Sequence, residues 1–135
     1  LQNRQYGEAE AVLRPATVMA PNFAGLWGPF GATLYLQGKQ AEAAAAYDQW
    51  IRLGGDENAY MNKAAALGSG GHLGEALAVL KEAEQRYPDK PMIYANEAIT
   101  YYKQGQRALA RTSLAKAQSL GLDPAQGAAL KEALR

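Results

Sequence analysis

The sequence predicts an all-α chain, a row of stacked helix–turn–helix units, and three observations carry that prediction. One pattern of large and small residues occurs three times. The copies are Trp27, Phe30, Gly31, Leu34, Ala43 and Tyr47; Tyr60, Lys63, Ala64, Leu67, Ala76 and Leu80; and Tyr94, Glu97, Ala98, Tyr101, Ala110 and Leu114. Trp27, Tyr60 and Tyr94 open them at a period of about 34 residues, which belongs to arrays of helix pairs. Gly38, Gly71 and Gly105 each follow the opening aromatic by eleven positions, where a helical hairpin needs a left-handed turn. Alanine is abundant while Val and Ile are scarce, which favours close-packed helices over strands.

The elements follow in order. Ala9, Leu13 and Pro21 keep the spacing of Ala76, Leu80 and Pro88, so residues 1 to 19 read as the second helix of a preceding copy. Pro15 is expected to bend or end that helix near Leu13. The next helix contains Gly25, Gly28, Pro29 and Gly31; Pro29 sits either in its first turn or inside a longer helix beginning near Phe23. The second arm of a hairpin is clearest at Leu73, Ala76, Leu77, Leu80, Ala83 and Glu84, whose apolar members recur at three- and four-residue steps. It stops at Tyr87-Pro88. Asp89 is expected to cap the helix that runs to Gln104, and its partner covers Arg107 to Leu120. Gly121 ends that one. Asp123 and Pro124 then start a last helix, Ala125 to Leu134, either a terminal cap or the first helix of a fourth copy. The expected organisation is one domain over 1–135, divided at 1–22, 23–56, 57–90, 91–123 and 124–135.

Fourteen basic and thirteen acidic residues give a net charge of +1. The charges are mixed along the chain, without the basic stripe of a nucleic-acid binder. There is no cysteine, which excludes disulfides and thiolate zinc sites and fits the cytoplasm and the periplasm equally. No run of eighteen apolar residues exists, so no membrane insertion is expected in this segment. The chain opens on Leu1, within a repeat and without Met, and reads as a segment of a longer protein. The Ala- and Gly-rich composition points to a bacterial source.

These copies resemble the tetratricopeptide repeat. Trp27-Gly28-Pro29-Phe30-Gly31, then Leu34, Ala43 and Tyr47, follow that family's pattern, and Tyr101-Tyr102-Lys103-Gln104-Gly105 is similar to the end of its first helix. The resemblance covers nearly all of the chain and implies a right-handed α–α superhelix of about three repeats, with an N-terminal half repeat and a C-terminal capping helix. Ala43, Ala76 and Ala110 then lie where paired helices cross, and Trp27, Tyr60 and Tyr94 supply bulk between helices. Trp50 departs from the pattern, standing where Ala83 and Ala117 stand later; the glycines around it are expected to make room. Lys63 and Glu97 stand in the slot of Phe30, one repeat apart. They read either as an ion pair joining two copies or as a charged spot in a binding groove.

Chemistry has few footholds. His72, the only histidine, lies in a Gly70-Gly71-His72 turn without a second ligand or a nucleophile beside it. Gly68-Ser69-Gly70-Gly71 lacks the Lys-Ser or Lys-Thr and the preceding strand of a phosphate loop. Glu8 and Glu10, and Glu82 and Glu84, diverge on their helices and are expected to be solvated. No catalytic residue, cofactor or metal is expected. Tyr60, Tyr94 and Tyr101 are core positions; Tyr35 and Tyr102 follow core positions and face either the core or the inner surface.

In the family that the chain resembles, the first helices line a concave groove that takes extended peptides. By that resemblance Gly28, Ala32, Tyr35 and Leu36 line it in the first copy. Asn58, Met61, Asn62, Ala65 and Ser69 do so in the second, and Met92, Ala95, Asn96, Ile99, Tyr102 and Lys103 in the third. Asn62 and Asn96 stand at matching points of successive copies. Each offers a donor and an acceptor, either to a peptide backbone or to neighbouring helices. A subset of the family clamps a C-terminal carboxylate with basic residues. Gly28, Ala32, Met92 and Asn96 stand where that subset needs Lys, Asn and basic side chains, so the clamp is not carried over. An apolar, amide-rich groove suits a partner helix or an apolar peptide. The expected function is a non-catalytic protein–protein interaction scaffold. The alternatives are a recruiting module of a larger enzyme, secretion or assembly protein, and a weak homo-oligomer formed through exposed end copies.

Overall fold

The computed structural model describes residues 2–135, all helices and turns among the described residues. Contacts divide the chain into two compact units, Leu1–Gly71 and His72–Arg135. The first contains α1 (Gln2–Met19), α2 (Ala24–Leu36), α3 (Gln40–Arg52) and α4 (Glu57–Ser69). The second contains α5 (Leu73–Arg86), α6 (Pro91–Lys103), α7 (Arg107–Ser119) and α8 (Pro124–Ala133).

In the first unit α2 and α3 close on Phe30, Leu34, Ala43, Ala46 and Tyr47, joined by Ala66 of α4 and flanked by Leu13, Trp27 and Trp50. In the second unit Tyr94, Ala98 and Tyr101 of α6 meet Ala110, Leu114 and Ala117 of α7, with Leu122 and Leu134 beside them. Ala43, Ala76 and Ala110 are completely buried, as crossing positions require. Ala76→Leu should therefore overpack its crossing and cost about 1–3 kcal/mol, measured as a lower denaturation midpoint at unchanged helical content.

The turns take the conformation expected of them. Gly38, Gly71 and Gly105 have φ of 79°, 86° and 80°, left-handed values that an L side chain tolerates poorly. After α2 the Lys39 amide donates to Leu34 O at 2.9 Å, and after α6 the Gln106 amide donates to Tyr101 O at 2.9 Å. This is the same wrapped helix end, met again two repeats later. The opening aromatics repeat as well. Trp27 Nε1 donates to Pro21 O at 2.9 Å, and Tyr94 Oη donates to Pro88 O at 3.0 Å. A large ring with one polar tip fills the space between helices and pins the preceding loop at the same time.

Several expectations are corrected. Pro15 neither ends nor splits α1, which runs on to Met19 with Pro15 inside it. The carbonyl that Pro15 releases belongs to Ala11, which is exposed to water, while Thr17 on the other side is buried and its hydroxyl donates to Arg14 O. Packing thus carries the helix past its proline. Of the two readings of Pro29 the second holds: it lies inside α2, a helix that begins next to its cap, Phe23. α6 is capped by Lys90 with Pro91 in its first turn, so Asp89 stands one residue too early. Asp123 does cap α8, its carboxylate accepting from the Gln126 amide at 3.2 Å. Trp50 finds its room among glycines: a Cβ on Gly28 would lie 3.3 Å from its ring, and one on Gly55 2.9 Å.

Candidate functional site

Lys63 and Glu97 each take a partner from the helix before their own. Lys63 Nζ donates to Asp48 Oδ1 at 2.8 Å, and Lys81 Nζ donates to Glu97 Oε1 at 2.9 Å. Asp48 and Lys81 are equivalent positions one repeat apart, so the second pair is the first with its charges exchanged. The same slot occurs once more in α1 and α2, where the Arg14 guanidinium sits 5.3 Å above the Phe30 ring. One position is thus filled three ways, by cation on ring, anion on cation and cation on anion. A helix-to-helix attraction is kept while the residue types drift.

The third version is the most buried. Glu97 is 1% exposed. Its Oε1 accepts from Lys81 and from Ser113 Oγ at 3.3 Å, while its Oε2 is buried and receives no hydrogen bond from the protein. Glu84 Oε2 lies 3.3 Å from Lys81 Nζ, so one ammonium serves two carboxylates. Burial, then Glu84, push the Glu97 carboxyl up to about 7 from an ordinary 4.5. Burial opposes the Lys81 charge, but Glu97 and Glu84 outweigh it and raise that pKa. At the other end of the chain Lys39, Arg14 and Gln37 converge on Glu10 and hold its carboxyl down at about 2. Glu10 and Glu84 are therefore engaged, not simply solvated; Glu8 and Glu82 are exposed as expected.

Each unit also carries an apolar cavity. In the first, a space of about 300 Å³ is bounded by Gly25, Gly28, Pro29 and Ala32 of α2, Trp50 of α3 and Asn62 of α4. Glycines at 25 and 28 keep the α2 side low, so the Trp50 ring is reached from the opening. Asn62 is exposed and stands at the rim. In the second unit, about 250 Å³ is bounded by Met92, Ala95, Asn96 and Ile99 of α6 and by Leu122, Ala129 and Leu130. Asn96 there donates to Met92 O one turn back at 2.9 Å.

Among the groove residues read from the sequence, Met92, Asn96 and Ile99 are brought together, and Asn62 joins Gly28 and Ala32. Tyr35 is half-buried and its hydroxyl meets Ser69 Oγ at 3.0 Å, between α2 and α4. Asn58 is bound up in the α4 cap, its backbone N–H donating to Asp56 Oδ1 at 3.0 Å and its side-chain amide to Asp56 Oδ2 at 3.5 Å. Met61 and Ala65 lie on α4 outside the cavity lining. Tyr102 sits under the Arg107 guanidinium at 5.6 Å, and Lys103 is exposed at the end of α6. Sequence reading missed Trp50 as a cavity wall and missed Leu122 and α8 as cavity lining, although α8 itself was expected. The bulk of Trp50 in a slot held elsewhere by alanine was the available signal. Among the described residues no three His, Asp or Glu side chains gather as metal ligands, and no helix is long and apolar enough to cross a membrane.

No protein-family model matches the chain. Over 85 residues it is 36% identical to the TPR repeat-containing thioredoxin TTL4 of Arabidopsis thaliana, an alignment covering 62% of this chain and 12% of that protein. The solved structure of MamA MSR-1 superposes with a TM-score of 0.74 at 20% identity, over 86% of this chain and 67% of that one. The Yersinia enterocolitica type III secretion chaperone SycD, solved in complex with a peptide of the translocator YopD, superposes at 0.69 with 17% identity, over 80% and 88%. At such identities the structures speak for the fold. Repeat pattern, curated relative and solved folds agree: the chain resembles tetratricopeptide-repeat proteins and has their all-α helical-repeat fold.

Proposed function

We propose that this chain is a non-catalytic binding module that holds a segment of another protein against its apolar cavities. The observation that carries the reading is the pairing, in each unit, of an apolar hollow with an amide side chain at its edge: Trp50 with Asn62, and Ile99 with Asn96. An apolar side chain of the partner fills the hollow, and the amide bonds the partner's backbone without reading its sequence. The peptide carried by SycD, a protein of like fold, supports this reading.

Asn62→Ala combined with Asn96→Ala should weaken capture of partners from the native cell extract by about 5- to 100-fold, on the order of one hydrogen bond per amide. The melting temperature should stay nearly unchanged. Equal capture by the double variant would overturn the groove assignment. A second reading, a recruiting module within a larger protein, is favoured by the curated relative, of which this chain spans only 12%. Isolation of the full-length gene product distinguishes the two.

A further inference from the structure

Inside the second unit lies a polar cluster that the repeat does not require. Glu97 occupies the slot of Phe30. Counted from Ala43, Ala76 and Ala110, Glu84 is equivalent to Ile51, and Ser113 is equivalent to Ala46 and Val79. An acid on α5 and a hydroxyl on α7 thus stand where earlier copies are apolar, and both turn to the buried Glu97 carboxyl.

The hydrogen bonds of this cluster do not close. Glu97 Oε1 takes both donors, Lys81 Nζ at 2.9 Å and Ser113 Oγ at 3.3 Å. Glu97 Oε2 and Glu84 Oε2 are buried and receive none, although Lys81 Nζ pairs with Glu84 Oε2 as an ion at 3.3 Å. With both acids ionised, one ammonium would answer two carboxylates, and two bare oxygens would stay out of water, which a low-dielectric seam penalises. A proton on Glu97 Oε2, donated to Glu84, removes the excess charge and gives the bare oxygens a bond. Glu84 lies within hydrogen-bonding reach of that carboxyl; burial first and then Glu84 push it up to about 7, against the pull of Lys81. Among the described residues, the other titratable groups around the cluster are Tyr101, its ring centre 5.7 Å from Lys81 Nζ, and Tyr94, its ring centre 5.9 Å from Lys116 Nζ of α7.

We propose that Glu97 and Glu84 share a single proton across the seam between α5 and α6, and that its release as pH rises loosens this seam. The pair is a pH-sensitive clasp between two helices of the second unit. Lys81 neutralises the one negative charge that remains, so the closed clasp carries no net charge. Its sign follows from the proton balance. The folded cluster keeps a proton that an ordinary glutamate releases near 4.5, so closure is strongest in mild acid and weakens up to about pH 7. Above that, folded and unfolded chains have both lost the proton, and no further weakening follows. Burial alone would also raise Glu97, but it would leave Glu84 a bystander and its buried oxygen without a bond.

The test follows the Glu97 side-chain carboxyl by carbon NMR in the full chain, with Glu84→Gln as the variant. In wild type it should titrate at about 7. In Glu84→Gln the like charge is gone and an N–H replaces the acceptor, so Glu97 should titrate about one pH unit lower or more. Amide hydrogen exchange, corrected for its intrinsic pH dependence, reads the seam itself. Protection of α5 and α6 amides should fall about tenfold or more between about pH 5 and about pH 8, while that of α2 and α3 holds. Glu84→Gln should shrink this fall and Glu97→Gln should nearly abolish it. An unmoved Glu97 titration in Glu84→Gln would reduce Glu97 to a merely buried acid and overturn the proposal. So would a wild-type Glu97 that titrates as an ordinary glutamate, or a loss of protection spread evenly over both units.

Discussion

Glu97→Gln should remove most of the pH dependence of stability between about pH 5 and pH 8. The folded chain holds the Glu97 proton up to about pH 7, whereas an ordinary glutamate releases it near 4.5. Folding therefore takes up a proton in that window, and stability is full below 4.5 and falls as pH rises through 7. The difference corresponds to about 3 kcal/mol. Burial of Glu97 sets it first, then Glu84, which raises the value, and Lys81, which lowers it, both on α5; Ser113 of α7 faces the same carboxyl oxygen as Lys81.

The amide in Glu97→Gln keeps an oxygen for Lys81 and Ser113 and offers an N–H toward Glu84, so the variant should match wild type at pH 5 and exceed it at pH 8. Urea midpoints at the two pH values measure this directly, and wild-type and variant curves running parallel in pH would show that Glu97 is ionised throughout. Glu10 acts with the opposite sign. Its carboxyl is held at about 2 against an ordinary 4.5, so what it contributes is present above the ordinary value and lost only in strong acid. The two windows do not overlap.

Gly31→Val should be the most damaging of the small substitutions in the first unit. A Cβ at Gly31 would lie 2.6 Å from Cε1 and 2.8 Å from Cδ1 of Tyr47. That ring is 3% exposed and is backed by Trp50, with ring centroids 6.4 Å apart, so it has nowhere to retreat. The expected loss is about 3 kcal/mol or more, the upper end for overpacking, since the branched methyls add to the Cβ clash. Gly7→Ala serves as the control. A Cβ there meets nothing within 4 Å, and an alanine inside α1 should stabilise it by up to about 1 kcal/mol. Thermal melting of the two variants separates the close approach of α2 and α3 from the general cost of glycine in helices.

What recurs along the chain was readable from the chain. The regular period, the left-handed glycines and the small residues at helix crossings each report a constraint that returns at every repeat. Their spacing carries the information whatever the three-dimensional surroundings. Part of the candidate site was legible for the same reason, since Asn62 and Asn96 stand at equivalent positions and both reach a cavity. The part that Trp50 and α8 take in the cavity walls was not, because which surfaces enclose a space is decided only when the helices pack.

The charged residues mark the boundary most clearly. Position in the repeat put Lys63 and Glu97 in one slot, but a long side chain chooses its partner by reach across a neighbouring helix, and those partners proved to be Asp48 and Lys81. Pro15 marks it again: local sterics argued for a break, and the burial of Thr17, with Leu13 packed on the core of α2 and α3, kept the helix whole. Periodic constraints are local and additive, and so can be read in one dimension. Ion pairs, cavities and tolerated prolines depend on which surfaces meet, and that was decided only when the helices packed.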